Sequence, residues 1–192
     1  DETPVDLLTI SGHKIYGPTG SGILFVRSGT AIAPLLHGGG QERTLRPGTQ
    51  DVAGAVGMAT ALRLAVGDQA EEAPRLRRLR DELEARVLGG VDGVRINGGG
   101  ATRAPHVSNL GFESVNGSML LIKLDLVGIG ASGASACASG SGKGSHVIAA
   151  LYGDQDDMAN VRFSLGRTTT PADIERVAEV TCAIVERLRG QR

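Results

Sequence analysis

Apolar positions in this chain fall into short runs and spaced stripes, and the two patterns predict different elements. Val5 to Ile10 is a nearly continuous apolar run of strand length, and Ile23-Leu-Phe-Val26 is a second. The first is expected as a buried strand. Asp51 stands where an N-cap belongs, ahead of an alanine- and glycine-rich helix from Val52 to about Val66 that Gly67-Asp68 is expected to break. A charged helix then runs from about Gln69 to Leu88, with Leu76, Leu79, Leu83 and Val87 at three-to-four spacing, and Gly89-Gly90 ends it.

Val94–Ile96 and Val107–Phe112 read as strands around a glycine turn. Ser118 to about Leu126 reads as helix, followed by a Gly/Ser/Ala-rich stretch from Gly128 to Gly144. Ser145 is expected to cap a short helix through Leu151, and Val161–Leu165 alternates like a strand. Thr170-Pro171 opens a last amphipathic helix to about Leu188, with proline at its first position. Interleaved strands and helices place the chain in the α/β or α+β class. A composition shift near residue 70 predicts a division into residues 1–70 and 71–192. A strand this near the first residue has no sequence neighbour to pair with on both edges, so the chain reads as starting in the middle of a sheet.

Bulk properties narrow the function classes. Over 192 residues the net charge is −1, which argues against a nucleic-acid or membrane surface as the main partner. No apolar run approaches membrane-helix length, and DETPVDLLTI lacks the basic start and apolar core of a signal peptide. Cys137 and Cys182 sit in unlike contexts, so a disulfide is not expected and a reducing cytoplasm is. Aromatics make up only 3%, so core volume must come from aliphatic side chains. The 29 glycines cluster near 17–22, 38–40, 98–100 and 128–144, which marks turns and close backbone approaches.

Three motifs fail on inspection. His37-Gly-Gly-Gly40 and Gly133-Ala-Ser-Ala-Cys137 suggest an esterase, but no acid and distant histidine follow in the required order. Gly140-Ser-Gly-Lys143 lacks both the earlier glycine and the following Ser/Thr of a phosphate loop. The four histidines show no paired helical spacing and no CxxC partner, so no metal site is expected.

The stretch Ser11-Gly-His-Lys14 is different. A lysine directly after a strand, beside a serine and a histidine, suggests an imine-forming amine next to an anion site. An exposed turn lysine with incidental neighbours is the plainer alternative. Three further stretches follow in order: HGGGQERTLRPGT at 37–49, ASACASG at 134–140 and VRFSLGR at 161–167. Together the four closely resemble cysteine desulfurases of the NifS/IscS type, within the class V aminotransferases of fold type I, over essentially the whole chain.

That resemblance implies the C-terminal part of a large pyridoxal-phosphate-binding domain at 1–70 and a smaller α+β domain carrying a catalytic cysteine loop at 71–192. It implies that Lys14 carries pyridoxal 5'-phosphate, that Ser11 and His13 bind its phosphate, and that Thr49 reaches the phosphate of a partner subunit. A homodimer with shared active sites follows from the last assignment. Cys137 matches the cysteine that takes sulfur from L-cysteine, leaving L-alanine, and hands it to a sulfur-acceptor protein. Arg162 matches the arginine that grips the substrate carboxylate, as its planar fork suits. Cys182, in an apolar helical setting, reads as a packed thiol.

The family's cofactor-stacking histidine and its aspartate on the pyridine nitrogen have no counterpart here, so either this is a fragment or another chain supplies the missing half. Where relatives often carry a Glu-Pro-Ser-like segment after the cysteine, this chain has Gly142-Lys-Gly-Ser145. Rival readings are a selenocysteine lyase or other class V relative, and a non-catalytic truncated subunit that only relays sulfur.

Overall fold

The computed structural model describes residues 4–133, 145–153 and 157–190. Contacts divide the chain into two compact units, Asp1–Ala70 and Glu71–Arg192.

In the first unit, β1 (Leu7–Ser11) and β2 (Gly22–Val26) pair antiparallel, with Leu8 opposite Phe25 and Ser11 opposite Gly22. The expectation of a buried strand is not met: Leu7 and Leu8 are roughly half exposed, as are Leu24 and Phe25 across the ladder. Among the described residues β1 and β2 pair only with each other, which leaves the apolar run half exposed.

Helix α1 (Val52–Gly90) begins where expected, the Gly54 amide donating to Asp51 Oδ1 at 2.9 Å. It does not break at Gly67-Asp68 but continues for 39 residues, through Pro74 as well. Glycine inside a helix costs only about 1 kcal/mol relative to alanine. Apolar contacts on either side offset that, with Met58 and Ala61 buried before the glycine and Leu79, Leu83 and Val87 after it. The greater disruption is Pro74, which has no N–H to give the Ala70 carbonyl. The division between the units falls just before it, between Ala70 and Glu71.

In the second unit, β3 (Val94–Ile96), β4 (Val107–Phe112) and β5 (Ala159–Ser164) form an antiparallel sheet in the order β3-β4-β5. Alternation gives this sheet two unlike faces. Leu110, Phe112, Val161 and Phe163 join the core with Leu79, Leu83 and Val87 of α1, Leu120 and Leu124 of α2 (Gly117–Leu126), and Ile174 and Val185 of α4 (Pro171–Arg189). Arg95, Asn97, Asn109, Asn160 and Arg162 share the other face by register.

Caps follow the sequence for the most part. Asn116 caps α2 through the Met119 amide, and Thr170 with Asp173 forms a capping box on α4. Ser145 occupies the N-cap of α3 (His146–Tyr152) but makes no side-chain cap bond. Among the described residues, no helix is long and apolar enough to cross a membrane, and no cluster of metal-ligating side chains occurs.

Candidate active site

Each unit contributes one group of the expected residues. In the first, Lys14 and His13 lie on a 3-10 turn, Gly12–Ile15, that leaves the end of β1. Both are exposed, and Ser11 is half-buried at the strand end.

Close packing on one side sets how the turn is held. The Gly12 amide donates to Ser21 O at 2.9 Å, and the Gly17 amide to Gly12 O at 2.8 Å. A Cβ on Gly12 would strike Ser21 Oγ and come within 2.8 Å of Pro18 O. Tyr16 adopts left-handed backbone (φ 63°) to close the turn, uncommon for a residue with a Cβ. The connection rests on α1 where its side chains are small: Pro18 meets Gly57, and Gly17 meets Ala61.

Thr49 is exposed beyond a second turn, Glu42–Thr44. Three consecutive non-glycine residues there have positive φ, at 47°, 57° and 67°. Such a run costs roughly 1–2 kcal/mol per residue. The Gly48 amide donates to Gln41 Oε1 at 3.3 Å and helps close the segment.

In the second unit, Arg162 sits in the middle of β5 on the polar face, directly opposite Asn109. Its Nε is buried and has no hydrogen-bond partner among the described residues. A buried guanidinium N–H without an acceptor is costly, and a carboxylate would satisfy it. Around it, Asn97 donates through Nδ2 to Asn109 Oδ1 at 2.7 Å and to Asn160 Oδ1 at 2.6 Å. Gly111 gives this group room, since a Cβ there would lie 3.0 Å from Asn160 Oδ1 and press on it.

Ser132 completes this edge by exchanging backbone hydrogen bonds with Arg162. Sequence reasoning missed Asn97, Asn109, Asn160 and Ser132. Strand alternation counted from Arg162 would have found Asn160, but the cross-strand asparagines need the register. Cys137 lies outside the described residues. Cys182 is the packed thiol expected: burial pushes its pKa up, with the Glu186 charge adding to the effect.

The family model for aminotransferase class V matches residues 1–177. The cysteine desulfurase IscS of Dictyoglomus turgidum is 43% identical over 190 residues, covering 98% of this chain and 48% of that protein. A solved structure of a NifS-like protein superposes with a TM-score of 0.84 at 33% identity, over 96% of this chain and 47% of that one. The NifS-like protein of Rickettsia africae gives 0.83 at 31% identity, over 95% and 48%. The chain thus spans about half the length of the curated relatives it matches.

Proposed function

The chain belongs to the aminotransferase class-V family, and from that premise we propose that it is the C-terminal half of a pyridoxal-phosphate-dependent cysteine desulfurase. The observation that carries this reading is the Nε of Arg162, buried and without a hydrogen-bond partner among the described residues, a donor that a small carboxylate would satisfy. Relatives named cysteine desulfurase, similar along nearly the whole chain, supply the reaction class.

The residues present fit the cofactor. A hydroxyl, an imidazole and a primary amine stand within four residues, Ser11 at the end of β1 and His13 and Lys14 on the 3-10 turn that follows, and all three are at least partly exposed. Lys14 would hold the cofactor through Nζ, Ser11 and His13 would donate to its phosphate, and Thr49 would reach the phosphate of a partner subunit in a homodimer. When bound, the cofactor supplies an electron sink for the substrate carbons.

The chain's own groups do the rest. Arg162 binds and orients the carboxylate of L-cysteine through parallel N–H donors. The Lys14 amine, once free, takes the substrate α-proton at Nζ. Cys137 as thiolate attacks the substrate sulfur; the carbon–sulfur bond breaks, sulfur stays on Cys137 as a persulfide, and the carbon skeleton takes up a proton and leaves as L-alanine. The terminal sulfur then passes to an acceptor protein. We assign the enzyme to the cytoplasm, where thiols stay reduced.

The test is made on the full-length protein loaded with pyridoxal phosphate. Borohydride reduction is expected to fix one cofactor on the peptide containing Lys14, and Lys14→Ala to abolish that mass gain. L-cysteine is expected to release alanine and leave one added sulfur on Cys137, with Cys137→Ser retaining the cofactor and losing the persulfide. Cofactor fixed elsewhere, or alanine release unaffected by Cys137→Ser, would overturn the reading.

A further inference from the structure

The polar face of the β3-β4-β5 sheet carries a hydrogen-bond chain whose direction is fixed by the chemistry of its first member. Arg95 has its guanidinium carbon 3.6 Å from the Tyr152 ring centroid and donates from Nε to Asn97 Oδ1 at 2.9 Å. Arginine only donates, so the end of the Asn97 amide that faces it is the oxygen. The other end is then the nitrogen, which donates to Asn109 Oδ1 at 2.7 Å and to Asn160 Oδ1 at 2.6 Å. Each of those two asparagines therefore commits its oxygen to Asn97 and keeps its nitrogen to give.

The two nitrogens differ in what they meet. Asn160 Nδ2 donates to Met158 O at 2.9 Å. Asn109 Nδ2 has no acceptor among the described residues, and Asn109 is only partly buried. Register gives this donor a destination. Asn109 lies directly opposite Arg162, in a pair that is not joined by backbone hydrogen bonds, because Arg162 bonds through both backbone groups to Ser132. Cβ atoms in such a pair stand about 4.5–5.5 Å apart. Arg162 Nε is likewise a donor without an acceptor among the described residues. Two neighbouring donors that lack an acceptor suit a carboxylate, whose two oxygens take several hydrogen bonds.

We infer that Asn109 is a substrate-binding residue: its Nδ2, turned from β3 by the bond that Asn97 gives its oxygen, donates to the same carboxylate that Arg162 holds. This rests on the desulfurase reading for the identity of that carboxylate, L-cysteine's. A neutral donor adds a bond there without setting a second positive charge against the guanidinium. Its loss weakens binding of the carboxylate and leaves the rest of the substrate's contacts alone.

The experiment uses the full-length, cofactor-loaded enzyme and two probes, L-alanine and ethylamine, which differ only by the carboxylate. Calorimetric titration of Asn109→Ala is expected to show L-alanine bound about tenfold or more weaker than by wild type, with ethylamine within about twofold. KM for L-cysteine is expected to rise by a similar factor at nearly unchanged kcat. Asn109→Asp keeps the side chain's size and the acceptor for Asn97, and covers the case in which Asn109→Ala does not fold. It sets a carboxylate against Arg162 in place of the donor, and is expected to weaken L-alanine further than Asn109→Ala does.

Equal weakening of both probes would mark Asn109 as merely structural and overturn the inference, as would L-alanine binding unchanged in both variants. If wild type releases no alanine from L-cysteine, the desulfurase reading falls, and the contrast between the two probes alone decides whether Asn109 holds a carboxylate.

Discussion

Ser132 and Arg162 exchange both of their backbone hydrogen bonds, at 3.1 and 2.6 Å, on the edge of β5 away from β4. Because Arg162 commits both backbone groups to Ser132, its pairing with Asn109 is of the non-hydrogen-bonded kind, in which facing side chains lie closer. The residue proposed to hold the substrate carboxylate is thus braced on both edges. One brace opens the glycine-rich stretch that leads to Cys137.

The bridge uses backbone atoms of Ser132, so side chain and main chain should separate under mutation. Ser132→Ala is expected to preserve it. Ser132→Pro removes the amide donor and is expected to cost about 1–2 kcal/mol of stability and to lower alanine release. Urea unfolding beside a turnover assay checks both; a Ser132→Pro enzyme equal to wild type would mean that the bridge does not matter.

Arg162 is expected to tolerate lysine poorly. A single ammonium cannot reproduce the parallel donors of a guanidinium, so Arg162→Lys should raise KM for L-cysteine by roughly tenfold or more, equivalent to about 1.4 kcal/mol or above. Spectral titration of the bound cofactor with cysteine reads the affinity directly.

Asn97 is buried and is the shared donor to Asn109 and Asn160. Asn97→Ala leaves those acceptors without it and is expected to cost about 1–3 kcal/mol. Because both flank Arg162, KM for cysteine should rise severalfold while kcat changes little. Steady-state kinetics on this variant, beside urea unfolding, checks both.

At the turn carrying Lys14, Gly12→Ala would drive a methyl into Ser21 Oγ and against Pro18 O. The turn must shift, and cofactor retention should suffer more than overall stability. Dialysis of the loaded enzyme, followed by the absorbance of the bound cofactor, measures this; full retention would show that the turn has slack.

Acid sensitivity should arise in the second unit. Arg75 forms a bidentate pair with Glu72, at 2.8 and 2.9 Å, and also donates to the carbonyls of Gly166, Arg167 and Thr169 just beyond β5. The Arg75 hydrogen bonds hold the Glu72 carboxyl below its ordinary value, with the charges of Arg75 and Arg167 adding to them. The Asp173 carboxyl is lowered by the backbone and hydroxyl bonds of Thr170. A carboxyl whose folded pKa is lowered contributes stability that is complete above its unfolded value and lost as pH falls through the folded one. Urea midpoints should therefore drop between neutral buffer and about pH 4 or below, and Glu72→Gln should flatten that drop.

Local pattern and tertiary context divided the work unevenly. Val107–Phe112 was legible from its run, the α4 start from Thr170-Pro171, and the α1 start from Asp51, because strand alternation and caps act within a few residues. The order of SGHK, HGGG…RPGT, ASACASG and VRFSLGR was enough to suggest the chemistry. The glycine at 67 misled, because its cost of about 1 kcal/mol is small against the packing of the turns on either side. What the sequence by itself determined is most of the strands and helix starts and the candidate reacting groups. Only the tertiary structure decided that β1 pairs with β2, that one helix runs through Gly67 and Pro74, and that Asn97, Asn109 and Asn160 gather around Arg162. Those facts depend on register and on contacts between residues far apart in the chain, which no local period encodes.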